Sequence, residues 1–322
     1  MCRPTYRLAG SLIVFITTML VVTDGANATK FAGEPYHLGV GARALGRGGA
    51  YVASPPDASS MFWNVASLAV LSRPEAMAQH AETFGSLLDH DFVAVAVPSR
   101  PESPWAWGVY GTYLGGSGIK ITEVDSLRGR PVAVREENHG DWSLAVGLAR
   151  KTSRWWHWGV ALKTVIRDLP GNMAYGLGLD LAWYGQGRGW RAGIKAADIT
   201  TTFLSYDSGR NESINPHVNW GGEVDLPEVV NDISSIVAVE AETYFEGRET
   251  AAQFWSGPIS VDLHVGFEAA YQNLLYGRIG SDAGRLALGA GVAFDRWAID
   301  AALGDHEFLD NSYRVSLRYI LK

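Results

Sequence analysis

Cysteine is almost absent from this chain of 322 residues, since Cys2 is the only one. Residue 2 falls inside a predicted export signal, so we expect the exported protein to have no disulfide and no cysteine-bound metal. The histidines lack the spacing of a metal-binding motif; they are His37, His80, His90, His139, His157, His217, His264 and His306. The sequence therefore predicts no metal and no cofactor.

Catalytic motifs and an excess of basic charge are missing as well. The absence of a Gly-x-Ser-x-Gly elbow weakens a hydrolase interpretation, and no catalytic residue is predicted. A barrel enzyme acting on lipid stays open as an alternative, because a Ser-His pair can be assembled from distant strands. The chain has 27 basic and 34 acidic residues, a formal net charge of -7. This acidity argues against nucleic acid as a partner.

Long hydrophobic runs are confined to the N-terminus. Arg3 and Arg7 precede a mostly apolar stretch over 8–22, and Ala26-Asn27-Ala28 offers the small residues that a signal peptidase reads. We predict that residues 1–28 are a cleaved signal peptide. A retained anchor helix is the alternative, but the apolar run is shorter than the roughly 20 residues needed to cross a bilayer. No later stretch is long and apolar enough for a membrane helix, so a membrane location would require a closed barrel.

Alternation of bulky apolar with small or polar residues recurs from about residue 75 to the C-terminus. In 142–149, four large apolar residues occupy every second position: Trp142, Leu144, Val146 and Leu148. The same pattern returns in 177–183, 261–268, 286–294 and 313–321. A period of two is typical of transmembrane barrel strands, whose alternate residues face lipid and lumen. A soluble sandwich alternates too, so the pattern alone leaves both architectures open.

Segment length and spacing favour the barrel. Fourteen strands are predicted, at 75–84, 89–98, 104–114, 140–150, 155–166, 175–184, 190–199, 217–226, 232–245, 258–269, 273–280, 285–294, 297–304 and 312–321. Their length suits a tilted strand, and short turns alternate with mostly longer loops, as in barrels with short periplasmic turns. We therefore predict an all-β protein, a transmembrane antiparallel barrel over 75–322 preceded by an N-terminal plug segment over 29–74. Residues 115–139 are predicted as a loop, with a hairpin extension as the alternative.

Aromatic residues are placed close to the predicted short turns. This set is Trp105, Trp107, Trp155, Trp156, Trp158, Trp183, Tyr184, Trp190, Trp297 and Tyr319. Such clustering predicts an aromatic girdle at one membrane interface. The alternative is that these residues fill the core of a soluble protein.

Residues 38–71 are unusually rich in glycine and alanine. They contain Gly39, Gly41, Gly46, Gly48 and Gly49, and later a Trp63-Asn64 pair. The glycines do not have the G-x-G-x-x-G spacing of a dinucleotide-binding loop, and no βαβ pattern follows. Glycine permits close backbone approaches, so we interpret the block as a segment that threads a narrow barrel interior. Asp57 is expected to cap a short helix that continues toward residue 71.

The block resembles the N-terminal signature of PorV/PorQ-like proteins, relatives of the FadL-type outer-membrane transporters of long-chain fatty acids. It departs from that signature at Arg47, Pro56 and Val65. The resemblance implies a monomeric outer-membrane barrel of about fourteen strands in a Gram-negative-type bacterium, in contact with outer-membrane lipid. FadL-type relatives pass hydrophobic molecules, whereas PorV-type relatives receive the C-terminal domains of cargo in type IX secretion. Either role is non-enzymatic.

Charged residues at alternate positions of the predicted strands fall on the lumenal face. One interpretation is a solvated interior in which both signs pair across the barrel. A sharper hypothesis is that the plug arginines dock on an acidic wall and hold the plug closed. The residues assigned to plug and gating are Arg43, Arg47, Asp57, Trp63 and Asn64, and those assigned to the acidic wall are Glu223, Asp225, Glu240 and Glu242.

Overall fold

The computed structural model describes residues 31–125, 129–305 and 310–322. The predicted signal peptide and His306 lie outside these residues. None of the helices in the described part of the chain is long and apolar enough to cross a membrane.

Within the described residues, seventeen strands form one antiparallel sheet. They are β1 Glu75–Thr83, β2 Leu88–Val97, β3 Trp105–Asp125, β4 Arg130–Lys151, β5 Trp156–Leu169, β6 Asn172–Gly187, β7 Trp190–Ala197, β8 Thr202–Tyr206, β9 Asn211–Ile214, β10 His217–Leu226, β11 Ile233–Tyr244, β12 Phe254–Ser256, β13 Ile259–Tyr271, β14 Leu275–Asp282, β15 Arg285–Phe294, β16 Trp297–Gly304 and β17 Ser312–Ile320. Strands β8, β9 and β12 are short additions within the connections between β7 and β10 and between β11 and β13. The other fourteen form a closed wall, because β1 pairs with both β2 and β17. The predicted fourteen-strand barrel is confirmed.

The period of two in the sequence decides which side chains face outward. In β4, Leu144 and Val146 are about half exposed, whereas Ala145 and Ala149 are buried. Successive residues of a strand point to opposite faces of the sheet, so large apolar residues cover the outside and small or polar ones face the lumen. This outer surface is apolar along most of the wall strands. Its exposed residues include Leu177, Ile194, Val239, Leu263, Val265, Ile279, Leu288 and Val315.

The hairpin of β3 and β4 is longer than predicted. The expected strands at 104–114 and 140–150 continue through the expected loop, and pairing extends from Gly115↔Gly140 to Asp125↔Arg130. The extension was hidden because both of its faces are largely exposed, so its residues have no reason to alternate between apolar and polar. Residues 115–125 and 130–139 therefore form a two-stranded ribbon beyond the wall, which corresponds to the hairpin alternative.

Most of the predicted girdle residues lie on the outer surface. Trp105 packs edge-on against Trp158 with ring centroids 5.7 Å apart, and Trp297 lies 4.4 Å from Tyr319. Tyr184 differs, because its side chain is fully buried inside the barrel. It follows the outward-facing Trp183, and adjacent strand residues cannot share a face. Tyr184 therefore belongs to the core and not to the girdle.

Residues 31–71, named here the N-terminal segment, lie in the lumen. They form three single-turn helices, Glu34–His37, Ala42–Leu45 and Ser60–Trp63, and a 3-10 helix, Val65–Val70. Met61, Val65 and Leu68 pack with wall residues in one buried apolar cluster. The helix expected from Asp57 to residue 71 is interrupted, because the backbone of Asn64 is extended and its amide oxygen accepts the N–H of Ala66. Ser59 directly precedes the helix Ser60–Trp63 but makes no side-chain cap hydrogen bond, whereas the carboxylate of Asp57 accepts the N–H of Ser59 at 2.8 Å, so the capping bond comes from Asp57, two residues before Ser59.

Candidate functional site

Backbone-to-backbone contacts hold the glycine-rich part of the N-terminal segment against the wall. A Cβ on Gly46 would lie 2.8 Å from the Cα of Gly289 in β15, and one on Gly48 would lie 2.5 Å from the backbone nitrogen of Ser281 in β14. Gly48 also has a φ of +66°, a conformation that other residues adopt at a cost. A Cβ on Gly280 would overlap the backbone of Arg47. Both surfaces therefore need glycine for this approach.

Arg47 is fully buried, and its guanidinium group contacts the predicted acidic wall at Glu223. One terminal nitrogen donates to Ser54 Oγ at 3.1 Å, and the other pairs with Glu223. Glu223 also accepts from Ser54 Oγ at 3.0 Å and from Arg191 Nε at 2.7 Å. The Arg47 guanidinium lies 5.4 Å from the centroid of the Tyr51 ring. A buried charge with several partners in this way avoids the penalty of an unpaired ion.

Arg43 has a partner other than the expected one. Its Nε and a terminal nitrogen donate to the two oxygens of Glu268 at 3.0 and 2.8 Å, a bidentate pair. Its other terminal nitrogen lies 3.7 Å from Asp57. Glu268 also accepts from Arg278 Nε at 2.5 Å. The plug arginines thus attach to two different parts of the wall, Arg47 at β10 and Arg43 at β13.

The four residues of the predicted acidic wall do not act together. Glu240 accepts the backbone N–H groups of Tyr51 and Val52, both at 2.7 Å, so it fixes the segment through its backbone. Glu242 accepts the hydroxyl of Tyr244 at 2.8 Å. Asp225 pairs with Arg191, and nearly half of its side chain is exposed. The arginines of the segment therefore meet only Glu223 among the four within the described contacts.

Asp57 organises the turn that precedes the helix Ser60–Trp63. Its carboxylate accepts the backbone N–H and hydroxyl of Ser59 at 2.8 and 2.5 Å, and the hydroxyl of Tyr51 at 2.6 Å. Burial raises the pKa of this carboxyl group, but Arg318 and Arg43 outweigh burial and leave the pKa below its ordinary value. Asp57 is therefore expected to be ionised at neutral pH. Burial, opposed by Arg43, raises the pKa of the Tyr51 hydroxyl well above its ordinary value.

Trp63 and Asn64 join the two halves of the segment. Trp63 Nε1 donates to the carbonyl of Val40 at 2.9 Å, and its ring lies 5.8 Å from that of Tyr51. The side-chain amide of Asn64 donates to the carbonyl of Val52 at 2.8 Å and to that of Trp183 in β6 at 3.0 Å. Both residues are placed for a structural role in positioning the segment.

A cavity of about 170 Å³ lies between the N-terminal segment and the wall. Leu38, Leu45, Phe62 and Trp63 of the segment and Tyr110 of β3 supply its apolar lining. Charged and polar residues outside the segment complete it, namely Lys163, Lys195, Asn219, Glu240, Glu242, Arg248, Asp262, His264, Asp282 and Arg285. Lys195 Nζ donates to the carbonyl of Phe62 at 2.8 Å and lies 5.0 Å from the centroid of its ring. The cavity can thus contact both an aromatic group and a polar group.

No signal in the sequence indicated that Glu268 would dock the segment, because it is one of several acidic residues at alternate positions of the predicted strands. His37 and His217, whose rings lie 4.3 Å apart, likewise had no predicted role. These residues are far apart in the chain, so no local spacing signals their contact. The register between β7 and β10, in which Ala197 pairs with His217, places His217 near Asp198, and the path of the segment brings His37 to the same place.

The fold belongs to the class of closed fourteen-strand antiparallel barrels, and solved structures of FadL-type outer-membrane transporters are similar to it. The toluene transporter TbuX of Ralstonia pickettii aligns with a TM-score of 0.55 at 12% identity, covering 88% of this chain and 99% of TbuX. A FadL homologue from Pseudomonas aeruginosa aligns with a TM-score of 0.56 at 10% identity, covering 88% of this chain and 98% of the homologue. The deltaS2 mutant of the monoaromatic hydrocarbon channel TodX aligns with a TM-score of 0.50 at 10% identity, covering 87% of this chain and 97% of TodX.

No protein-family model and no curated protein sequence matches this chain. The similarity is therefore one of fold.

Proposed function

We propose that this protein is a non-enzymatic outer-membrane channel that passes small hydrophobic molecules, with residues 31–71 acting as a lumenal plug. The observation that carries the proposal is a closed barrel whose lumen holds a tightly fitted segment next to a partly apolar cavity. The similarity in fold to a toluene transporter and a monoaromatic hydrocarbon channel supports it.

The outer surface supports an outer-membrane location. Residues such as Val146, Leu162 and Leu177 expose about half of their side chains on the wall. A continuous apolar surface of this kind would favour aggregation in water, whereas a bilayer covers it. The exposed tryptophans near the short turns would lie at one interface of the bilayer.

The cavity suits a ligand about the size of one aromatic ring. An apolar cavity of about 150 Å³ is large enough to bind benzene, and the cavity here is about 170 Å³. Phe62, Trp63 and Tyr110 offer aromatic faces to such a ligand. Charged groups of the lining form ion pairs within the protein, as the terminal nitrogens of Arg248 do with Asp262 and Glu34.

Uptake of radiolabelled toluene into proteoliposomes tests this proposal. Entry into vesicles that contain the full-length protein should exceed the leak into protein-free vesicles. Trp63→Ala removes a ring that lines the cavity and should raise entry severalfold, whereas Trp107→Ala on the outer surface should leave it unchanged. Entry at the leak rate for the native protein and for Trp63→Ala would contradict a channel for such molecules.

Docking of secreted protein cargo is a second candidate. It rests on the resemblance of residues 38–71 to PorV/PorQ-like proteins and on the β3–β4 ribbon, where Ile119, Val124 and Val134 are exposed. Exposed apolar residues on a projecting ribbon could contact a protein. Pull-down with the C-terminal domain of a secreted cargo protein tests this role, and Val124→Asp should weaken capture. Equal capture by the native protein and Val124→Asp would remove the ribbon from consideration.

A further inference from the structure

Two histidines and one aspartate from distant parts of the chain meet where the N-terminal segment contacts the wall. His37 ends the single-turn helix Glu34–His37 of the segment, Asp198 follows β7, and His217 begins β10. His37 Nε2 lies 3.7 Å from Asp198 Oδ2. One potential ligand atom from each of the three residues lies within 4.8 Å of the others.

The two imidazole rings have nitrogen atoms without hydrogen-bond partners. His37 Nε2 and His217 Nδ1 are buried and make no hydrogen bond, and only 3% of His217 is exposed. Buried polar atoms without a partner are uncommon and call for a physical reason, of which an ion is one. Both histidines also line the cavity, which provides a path for a ligand to reach them.

We propose that His37, Asp198 and His217 form a Zn²⁺ site that ties the N-terminal segment to the barrel wall. Two imidazole nitrogens and one carboxylate oxygen are a ligand set typical of zinc. Tetrahedral ligands about 2 Å from zinc lie about 3.4 Å apart, close to the 3.7 Å between His37 and Asp198. His37 and His217 both line the cavity, so a water molecule from there would complete the four ligands. This site is independent of the transport role proposed above.

A second carboxylate lies next to the ligand set. Glu242 Oε1 lies 3.6 Å from His217 Nε2. With zinc on Nδ1 of His217, Nε2 would carry the proton and face this carboxylate. A carboxylate behind a histidine ligand orients the ring and raises its basicity. Glu242, which was predicted as part of a wall that docks arginines, is thereby assigned to positioning His217.

Lys163 would compete with zinc for the carboxylate of Asp198. Its Nζ lies 2.7 Å from Asp198 Oδ2 and 3.2 Å from Asp180 Oδ1. Zinc on Asp198 would shift this ammonium toward Asp180, which already lies within ion-pair distance. The alternative to a metal site is a stack of rings, since His217 also packs on Tyr244 with centroids 4.9 Å apart. If the histidines serve only to stack with other rings, the protein should not bind zinc selectively. A measurement of zinc binding therefore distinguishes the two explanations.

Equilibrium dialysis of the purified full-length protein against Zn²⁺, followed by metal analysis, tests the site. The protein should carry no polyhistidine tag, because a tag binds the same metal. We expect one Zn²⁺ per chain, and His37→Ala and His217→Ala should each weaken binding at least tenfold. His90→Ala is the matched control, because His90 is equally buried with Nδ1 unpartnered but lies outside the cluster; it should bind like the native protein.

Proteolysis of the segment supplies a second readout of the tether. Zn²⁺ should slow cleavage within residues 31–71 in the native protein and in His90→Ala, but not in His37→Ala. Asp198→Asn keeps the shape of the side chain and should weaken zinc binding, and heat-modifiable gel mobility checks that each variant is folded. Absence of bound zinc, or binding as tight as that of the native protein in folded His37→Ala or His217→Ala, would overturn the site. Neither readout requires transport, so its failure would leave the channel proposal intact.

Discussion

The N-terminal segment contacts the barrel in two different ways. At Gly46 and Gly48 its backbone touches the backbones of β14 and β15, and the neighbouring Arg43 and Arg47 form ion pairs with Glu268 and Glu223. At His37 and Leu38 it borders a cavity, and imidazole nitrogens lack partners. Close backbone packing leaves no room for a ligand in the first region, whereas the second region borders a cavity whose lining includes the imidazole groups of His37 and His217. The first region is built to hold the segment, and the second is the place for binding.

The contact around Gly46 and Gly48 is named here the tight region. The largest expected effect comes from separating the backbone of the segment from that of the wall in this region. Gly280→Val should displace the segment, because even a Cβ at this position would overlap the backbone of Arg47. Small movements cannot relieve an overlap with main chain in a packed interior. We expect a severalfold higher single-channel conductance in planar bilayers and rapid proteolysis within residues 31–71.

Gly277→Val is the matched control for this experiment. Gly277 lies in the same strand, and a Cβ there would have no atom within 4 Å. Conductance and protease resistance should stay at native values in this variant. If Gly280→Val also behaves like the native protein, the glycine contacts do not hold the segment in place.

The second largest effect is expected from removing the buried ion pair between Arg47 and Glu223 in the same region. Arg47→Met keeps much of the side chain's volume but removes a buried cation from Glu223, which retains Arg191 as a partner. Breaking a buried ion pair costs about 3 kcal/mol, so hydrogen exchange of peptides covering residues 41–64 should accelerate by about two orders of magnitude if exchange follows local opening. Combining Arg47→Met with Glu223→Gln should recover part of the protection. An unchanged exchange rate in Arg47→Met would mean that the pair does not hold the segment.

The barrel could be predicted from the sequence because its pattern is local. Every second residue of a strand such as β4 faces the same surface, so outward-facing residues like Leu144 and Val146 repeat with a period that is visible without a structure. The ribbon beyond this wall was missed as strand because exposure on both faces removes that period. Tyr184 was misplaced because nearness to a turn says nothing about which face a residue occupies.

The contacts of the site could be predicted only in part, because they depend on where the segment runs relative to each strand. Charge complementarity suggested that Arg43 and Arg47 pair with acidic lumenal residues, but several carboxylates satisfy that condition equally well. Arg43 reaches Glu268 because its helix, Ala42–Leu45, packs against the strands at the C-terminal end of the barrel. The contact between His37 and His217 depends on where the segment meets the start of β10, which has no counterpart in the spacing of histidines along the chain.

The smallest expected effect concerns Asp57, which supports the tight region from within the segment. Asp57→Asn keeps the shape of the side chain but removes the charge that Ser59 and Tyr51 donate to. Hydrogen bonds to a charged group contribute about 1.5 kcal/mol or more, so opening of residues 41–64 should become roughly tenfold more frequent at pH 7.

This effect should depend on pH with a defined sign. Because the pKa of Asp57 is lowered in the folded protein, its carboxylate stabilises the docked segment fully above the ordinary aspartate pKa of about 3.9 and loses this contribution as the pH falls through the lowered value. The native protein and Asp57→Asn should therefore differ by a constant amount between about pH 5 and pH 8, and should converge at lower pH. Hydrogen exchange corrected for its intrinsic pH dependence measures this difference. A gap that widens on acidification would show that Asp57 is docked in its protonated form, and the tight region would then not require a charge at this position.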